Sequence, residues 1–240
     1  MSRNVALCEL THLERTPISY ERAVAQHEEY RALLTALGCT VVHVPGDAAY
    51  PDCVFIEDTA VVLDDLAVIT RPGAESRRGE VEGVAAALAQ YRPLVQIEAP
   101  GTIDGGDVLV IGERIFVGRS SRTNDEGIAQ LRALTRREVV PVELHGALHL
   151  KTAVTYLGRN TLLMNRAWFD LTPFDGFQSI DVDAGEPFAA NALRVGEVIV
   201  FPLAFPKTRA KLTDFDVRAV HADELAKAEG GVTCCSLLLS

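Results

Sequence analysis

The chain has 240 residues, 48% of them hydrophobic and 23% charged, enough to bury a full core as one domain over 1–240 without disulfide staples. Its formal net charge of -10, from 33 acids against 23 bases, disfavours nucleic acid and anionic membrane as partners and is compatible with a site for a cationic small molecule. No apolar run approaches the roughly 20 residues that span a bilayer. The N-terminal stretch MSRNVALCEL lacks the apolar core of a signal peptide. Five cysteines (Cys8, Cys39, Cys53, Cys234 and Cys235) include no CxxC pair, so reduced thiols and a cytoplasmic location are expected.

The first element expected is a helix over PISYERAVAQHEEYRALLTAL, 17–37, where apolar residues recur at helical spacing until Gly38. CTVVHV, 39–44, reads as a strand. Further helices are expected over SRRGEVEGVAAALAQY and NDEGIAQLRALTRR, with a short one in PKTRAKLTDF. Between them lies a recurrent unit. DTAVVLDDLAVIT, GDVLVIGERIFVG, KTAVTYLGRNTLLMN and NALRVGEVIVFP each run apolar strand, polar turn, apolar strand. They return at roughly 40–50-residue intervals, the spacing of a repeat architecture. A fifth unit can be assembled from TCCSLLLS and VALCEL, the two ends of the chain. Ends that meet in one blade close a ring.

The residues ahead of each unit's first strand carry the chemistry. They are Glu57-Asp58, then Asp104 and Asp107, then His149 and Lys151, then Asn191, then Thr233-Cys234. Equivalent positions in a ring point toward one axis, so acids, an imidazole, an amide and a thiol should gather at one mouth. Taken singly each has a plainer use. Asp and Asn before strands terminate turns, and Asp107 is read that way. A cysteine on a buried strand is a small hydrophobe, and Arg77 and Arg122 could be surface charges at helix starts, the latter ahead of the Thr123-Asn124 cap. It is the common phase that lifts the set.

A thiol, an imidazole and a carboxylate together make a nucleophile, a base and its orienter. Asp52, Glu57, Asp58, Asp104 and Asp107 are too many acids for an ester or peptide hydrolase. Crowded carboxylates call for a cation, and a guanidinium matches their fork geometry. A zinc site is not expected, because HExxH is missing and His145-x-x-x-His149 stands alone.

PDCVFIEDTAVV, ITRPGAESRRGEV, IDGGDVLVIGERIFVGRSSRTN, LHLKTA and TCCSLL occur in the order that resembles the dimethylarginine dimethylaminohydrolases, of the guanidine-modifying or pentein superfamily, from about Leu10 to the C-terminus. The resemblance implies an α/β fold, a five-bladed α/β propeller of ββαβ repeats around a polar site. It implies hydrolysis of asymmetric dimethylarginine and monomethylarginine to citrulline and a methylated amine, with no cofactor and with a homodimer as a plausible assembly. It puts the nucleophile on Cys234, the acid/base on His149 and its carboxylate partner on Asp104, where several bacterial relatives have Glu. Asp58, with Glu57 beside it, is implied to take the guanidinium, and Asp52 the α-ammonium. Arg77 and Arg122 are implied to clamp the α-carboxylate, with Leu10 and the backbone near Ala228 at the amino-acid end. Cys235 should face the opposite side of its strand and belong to the core. The implied substrate competes with two others, an arginine-deiminase-like reaction on another guanidine and a non-catalytic arginine-binding module. ELTHLERTPISY could form a flap over the site.

Overall fold

The computed structural model describes residues 1–239. Helix α1, Tyr20–Ala36, is capped by Ser19 and ends at Gly38, whose φ of 91° is the left-handed value that glycine adopts without steric cost. Four blades then follow in chain order. In the first, β1 (Ala60–Val62) pairs antiparallel with β2 (Ala67–Ile69). Helix α2 (Val81–Leu88) then returns the chain so that β3 (Leu94–Gln96) lies parallel to β2. The second repeats this with β4 (Val108–Ile111), β5 (Arg114–Arg119), α3 (Asp125–Leu134) and β6 (Glu138–Glu143).

In the third, a short helix α4 (Leu150–Ala153) leads into β7 (Val154–Gly158), β8 (Thr161–Met164) and β9 (Gln178–Asp181), with two 3-10 turns in place of the crossover helix. Its hairpin turn carries Arg159 and Asn160 at φ of 51° and 56°, the paired positive φ values of a type I′ connection. The fourth comprises β10 (Leu193–Val195), β11 (Val198–Pro202), α5 (Pro206–Arg209) and β12 (Asp216–Val220). Helix α6 (Asp223–Ala226) leads to the C-terminal tail.

Middle strands are the most buried for a physical reason. β2 and β8 are buried at every position, because each has a strand on both sides and packed layers on both faces. The outer β3 and β9 mix exposed and half-buried residues, and β12 does so up to Val220, which is buried. Packing between blades is continuous. Val61, Val68 and Ile103 join the first blade to Val108, Ile115 and Val117 of the second. Leu109 and Phe116 meet Val154 and Leu162 of the third. Leu157 and Leu163 meet Ile199 and Phe201 of the fourth.

The fifth sector differs from expectation. Residues 39–46 and 235–239 form no β-ladder, and Val5–Leu7 is a 3-10 turn rather than a strand. The ring nevertheless closes through side chains. Val41, Val232 and Cys235 pack with Tyr30 and Leu34 of α1 against Leu193, Val200 and Val220 of the fourth blade. Val44 and Leu237 pack against Ile69, Val84 and Leu88 of the first. Apolar burial, not a hydrogen-bonded sheet, holds the two ends of the chain together here.

Candidate active site

Each of the first three blades opens on one tight turn at the same phase: Ile56–Thr59 before β1, Gly105–Asp107 before β4 and Leu150–Ala153 before β7. These turns bring Asp58, Asp104 and His149 together. The carboxylate oxygens and an imidazole nitrogen lie within 4.8 Å of one another, all buried. His149 Nε2 is 3.0 Å from Asp104 Oδ2 and 3.9 Å from Asp58 Oδ1. The other Asp104 oxygen accepts from the Gly73 amide at 2.9 Å, which fixes the carboxylate plane. Two glycines make this approach possible. A Cβ on Gly106 would stand 2.8 Å from both Asp58 Oδ1 and His149 Nδ1, and one on Gly105 would strike the Glu57 carbonyl at 1.9 Å.

Asp107 serves the turn, as expected. Its Oδ1 accepts from the Leu150 amide, so it anchors the turn that carries His149, and its Oδ2 accepts from Ser120 and Thr123. Burial drives its pKa up to about 6. Burial disfavours imidazolium at His149, but Asp58, the Asp104 hydrogen bond and Asp107 outweigh it and raise His149 to about 9. Burial likewise opposes ionisation of Asp58, yet His149 and Arg77 hold it down to about 2. The buried core of the site is therefore an ion pair between His149 and its acids at neutral pH.

A cavity of about 30 Å³ opens beside this pair, the share of one water molecule. Its walls include Asp52, Asp58, Arg77, Asp104, Arg122 and Cys234, with His149 and Ala228 also lining it. Cys234 thus meets the histidine and acids of other blades at one point. The Gly231 amide donates to its sulfur at 3.3 Å. Burial, with Glu57 and Asp58 nearby, pushes the thiol well above its ordinary value, so ionising it requires an added positive charge. Cys235 packs away among Tyr30, Leu34 and Val232, and burial takes it up to about 12.

Arg77 is buried and fully engaged. Its Nη1 donates to Asp58 at 2.6 Å, its Nε and Nη2 to Glu80, and its Nη2 also to the Phe55 carbonyl. Burial raises Glu80 to about 7 against the pull of Arg77. The Arg122 guanidinium reaches the Thr11 hydroxyl at 3.2 Å. Asp52 accepts from the Glu9 amide, and burial raises its pKa. Leu10 is half-buried in the apolar cluster that holds Val54, Phe55 and Ala228.

Glu57 is placed differently from its neighbour. Its carboxylate accepts from Lys151 Nζ at 2.5 Å and from the Thr233 hydroxyl at 2.7 Å, and it lines a second cavity of about 410 Å³ rather than the small one. Thr233 is in turn held by Asn191, whose amide also reaches the Lys151 carbonyl. Lys151, Asn191 and Thr233 sit at the repeat phase read from the sequence, but that reading gave Lys151 no task. The signal was a lone cation two positions after His149, at a phase otherwise rich in acids. Glu9, Glu80 and Glu229 lie outside that phase, and nothing in the sequence singled them out.

A family profile described as N,N dimethylarginine dimethylhydrolase, eukaryotic, matches residues 10–166. The chain is 37% identical over 225 residues to the N(G),N(G)-dimethylarginine dimethylaminohydrolase of Pseudomonas aeruginosa, covering 91% of this chain and 89% of the relative. It is 40% identical over 237 residues to the same-named protein of Streptomyces coelicolor, covering 96% and 91%. The chain belongs to the dimethylarginine dimethylaminohydrolase family.

Solved structures agree. The Pseudomonas enzyme as a cysteine-to-serine mutant complexed with citrulline superposes with a TM-score of 0.92 at 34% identity, covering 98% of this chain and 94% of that one. A histidine-to-glycine dimethylarginine dimethylaminohydrolase bearing an S-methyl-L-thiocitrulline adduct gives 0.93 at 34% identity over the same shares. The N-terminal domain of ArgZ, a cyanobacterial arginine dihydrolase, gives 0.83 at 25% identity, covering 92% and 86%. The fold is the α/β pentein propeller. No helix among the described residues is long and apolar enough to cross a membrane.

Proposed function

We propose that the protein hydrolyses Nω-methylated arginines to citrulline and a methylated amine. The observation that carries this reading is the meeting of Cys234, His149, Asp58 and Asp104 around one buried cavity. The raised thiol and the paired imidazolium fit a cationic substrate. A guanidinium between Asp58 and the Asp104–His149 pair supplies the charge that favours the Cys234 thiolate, the thiol proton leaving to solvent because His149 is already protonated.

The thiolate attacks the guanidinium carbon, forming the C–S bond. As the C–N bond breaks, imidazolium at His149 gives its proton to the departing dimethylamine. The S-alkylthiouronium remains on Cys234. Neutral His149 then takes a proton from water while the water oxygen bonds to the same carbon. Collapse breaks the C–S bond while the adduct's hydroxyl proton passes to solvent, and returns thiolate, citrulline and imidazolium. Asp104 orients the ring throughout, and Asp58 fixes the planar cation against rotation, the kind of positioning that lowers barriers by several kcal/mol.

At the amino-acid end, Asp52 suits an α-ammonium and Arg122 an α-carboxylate. Arg77 joins Arg122 there once its grip on Asp58 and Glu80 is shared with substrate. Leu10 and the Ala228 backbone close that end, and Glu57 supports the site through Thr233, Cys234's neighbour. The catalytic domain is proposed to span 1–240, to act in the cytoplasm with reduced thiols, to need no cofactor and to form a homodimer.

The rival within the superfamily is hydrolysis of unmethylated arginine, the activity named for ArgZ. A panel of arginine, monomethylarginine, asymmetric dimethylarginine and agmatine, with citrulline, ammonia, methylamine and dimethylamine each measured, separates them. Dimethylamine and citrulline in equal amounts are expected from asymmetric dimethylarginine. Ammonia from arginine as the dominant product would transfer the reading to the deiminase reaction.

A further inference from the structure

We propose that Glu229 is the latch that holds the N-terminal strap, residues 9–15, closed over the substrate cavity, and so sets substrate affinity; the affinity claim rests on the proposed function. Its carboxylate accepts hydrogen bonds from three consecutive backbone amides: Thr11 at 3.0 Å, His12 at 2.5 Å and Leu13 at 2.7 Å. Three N–H groups converging on one anion in a run of bends form an anion nest. The strap crosses the mouth from Glu9, whose amide binds Asp52, to Thr11, whose hydroxyl binds Arg122. Glu9 and Glu229 both line the cavity, whose 30 Å³ is far too small for an amino acid. Substrate entry therefore needs the strap to lift, and Glu229 is the group that must let go of it.

The backbone at Glu229 points the same way. Helix α6 ends in a Schellman motif, with the Gly230 amide bonded to the Leu225 carbonyl and the Glu229 amide to that of Ala226. Glu229 occupies the left-handed position of that motif, with φ of 62°. Glycine is favoured there, and a β-carbon is a steric cost. Two glycines follow at once, yet this position carries a long acid. What the acid gains is the nest on the strap. A charged acceptor for three amides that would otherwise face water is a strong, localised contact. It is also a reversible one, because water can replace it.

Glu229→Gly tests this cleanly, since glycine suits the backbone and leaves folding intact. Amide hydrogen exchange at Thr11, His12 and Leu13 should quicken at least tenfold in Glu229→Gly, with the melting temperature unchanged or raised. KM for asymmetric dimethylarginine should fall about tenfold, the worth of a charge-assisted hydrogen bond that the wild-type must give up to admit substrate, with kcat within about threefold. Glu229→Gln, which keeps the acceptor oxygen without the charge, should fall between. Unchanged exchange at the three amides in Glu229→Gly would overturn the latch whether or not methylarginine is the substrate. Faster exchange with an unchanged KM would overturn its role in affinity. A wild-type protein without methylarginine turnover would overturn the proposed function instead, and the exchange measurement would stand by itself.

Discussion

Glu57 and Asp58 are adjacent acids on one 3-10 turn, both buried, yet their carboxylates belong to different regions. Glu57 faces a floor in which everything is matched: Lys151 supplies the cation, Thr233 a hydroxyl, and Asn191 ties the hydroxyl to the Lys151 backbone. Asp58 faces a mouth in which acids outnumber fixed cations, and His149 and Arg77 are shared among Asp58, Asp104 and Glu80. A satisfied network holds a shape. An undersupplied one holds a shape and still attracts a cation, which is what a guanidinium site needs. The lesson is that burial and charge alone do not distinguish a catalytic acid from a structural one; the supply of partners does.

The sharpest break of that contrast is at the mouth. Cys234→Ser should abolish turnover with the far-UV spectrum unchanged; residual dimethylamine release above the uncatalysed rate would remove Cys234 as nucleophile. His149→Asn should lower kcat by about 10²–10⁴-fold, the usual worth of general acid–base help. At the floor the effect should fall on stability instead. Lys151→Met strands Glu57 as an unpaired buried acid and should cost about 3–5 kcal/mol in urea unfolding. Adding Glu57→Gln should recover part of it, a coupling expected only of direct partners. Were Lys151→Met to lose turnover at full stability, the division between mouth and floor would be wrong.

A smaller effect should come from pH. His149 is raised to about 9 by its acids, so imidazolium persists through neutrality and is lost as pH rises through about 9. The upper limb of kcat/KM should fall there. The folded value lies above the unfolded value of about 6.5. Its contribution to stability is therefore complete below about pH 6.5 and is lost by the time pH has risen through about 9. A melting temperature flat between pH 6.5 and 9.5 would contradict the His149–acid pairing. The smallest effect is expected at Cys235, packed behind its neighbour, where Cys235→Ser should keep most of the activity.

Four hairpins were legible because alternating apolar runs and turn residues are local properties, and all four form where the pattern puts them. The parallel third strands were less so: β9 and β12 have one mostly exposed face and short apolar runs. The fifth sector was not legible in detail, because VALCEL, CTVVHV and TCCSLLL (233–239) have strand composition but form no ladder. At the site, Asp58, Asp104, His149 and Cys234 could be found from their shared phase. The grip of Arg77 on Asp58, the pairing of Glu57 with Lys151 and the hold of Glu229 on the strap could not, since each joins residues 19 to 216 positions apart by geometry that no local pattern encodes.

By itself the sequence determined the repeat, the phase at which polar residues enter each blade, and the residue types available to one mouth, because these follow from periodicity and turn chemistry along the chain. Only the tertiary structure decided which acid meets which cation, where the thiol lies among them, and how the tail reaches over to the strap. Those choices depend on contacts between residues some 19 to 218 positions apart, whose energies are set by distance and burial once the ring has closed.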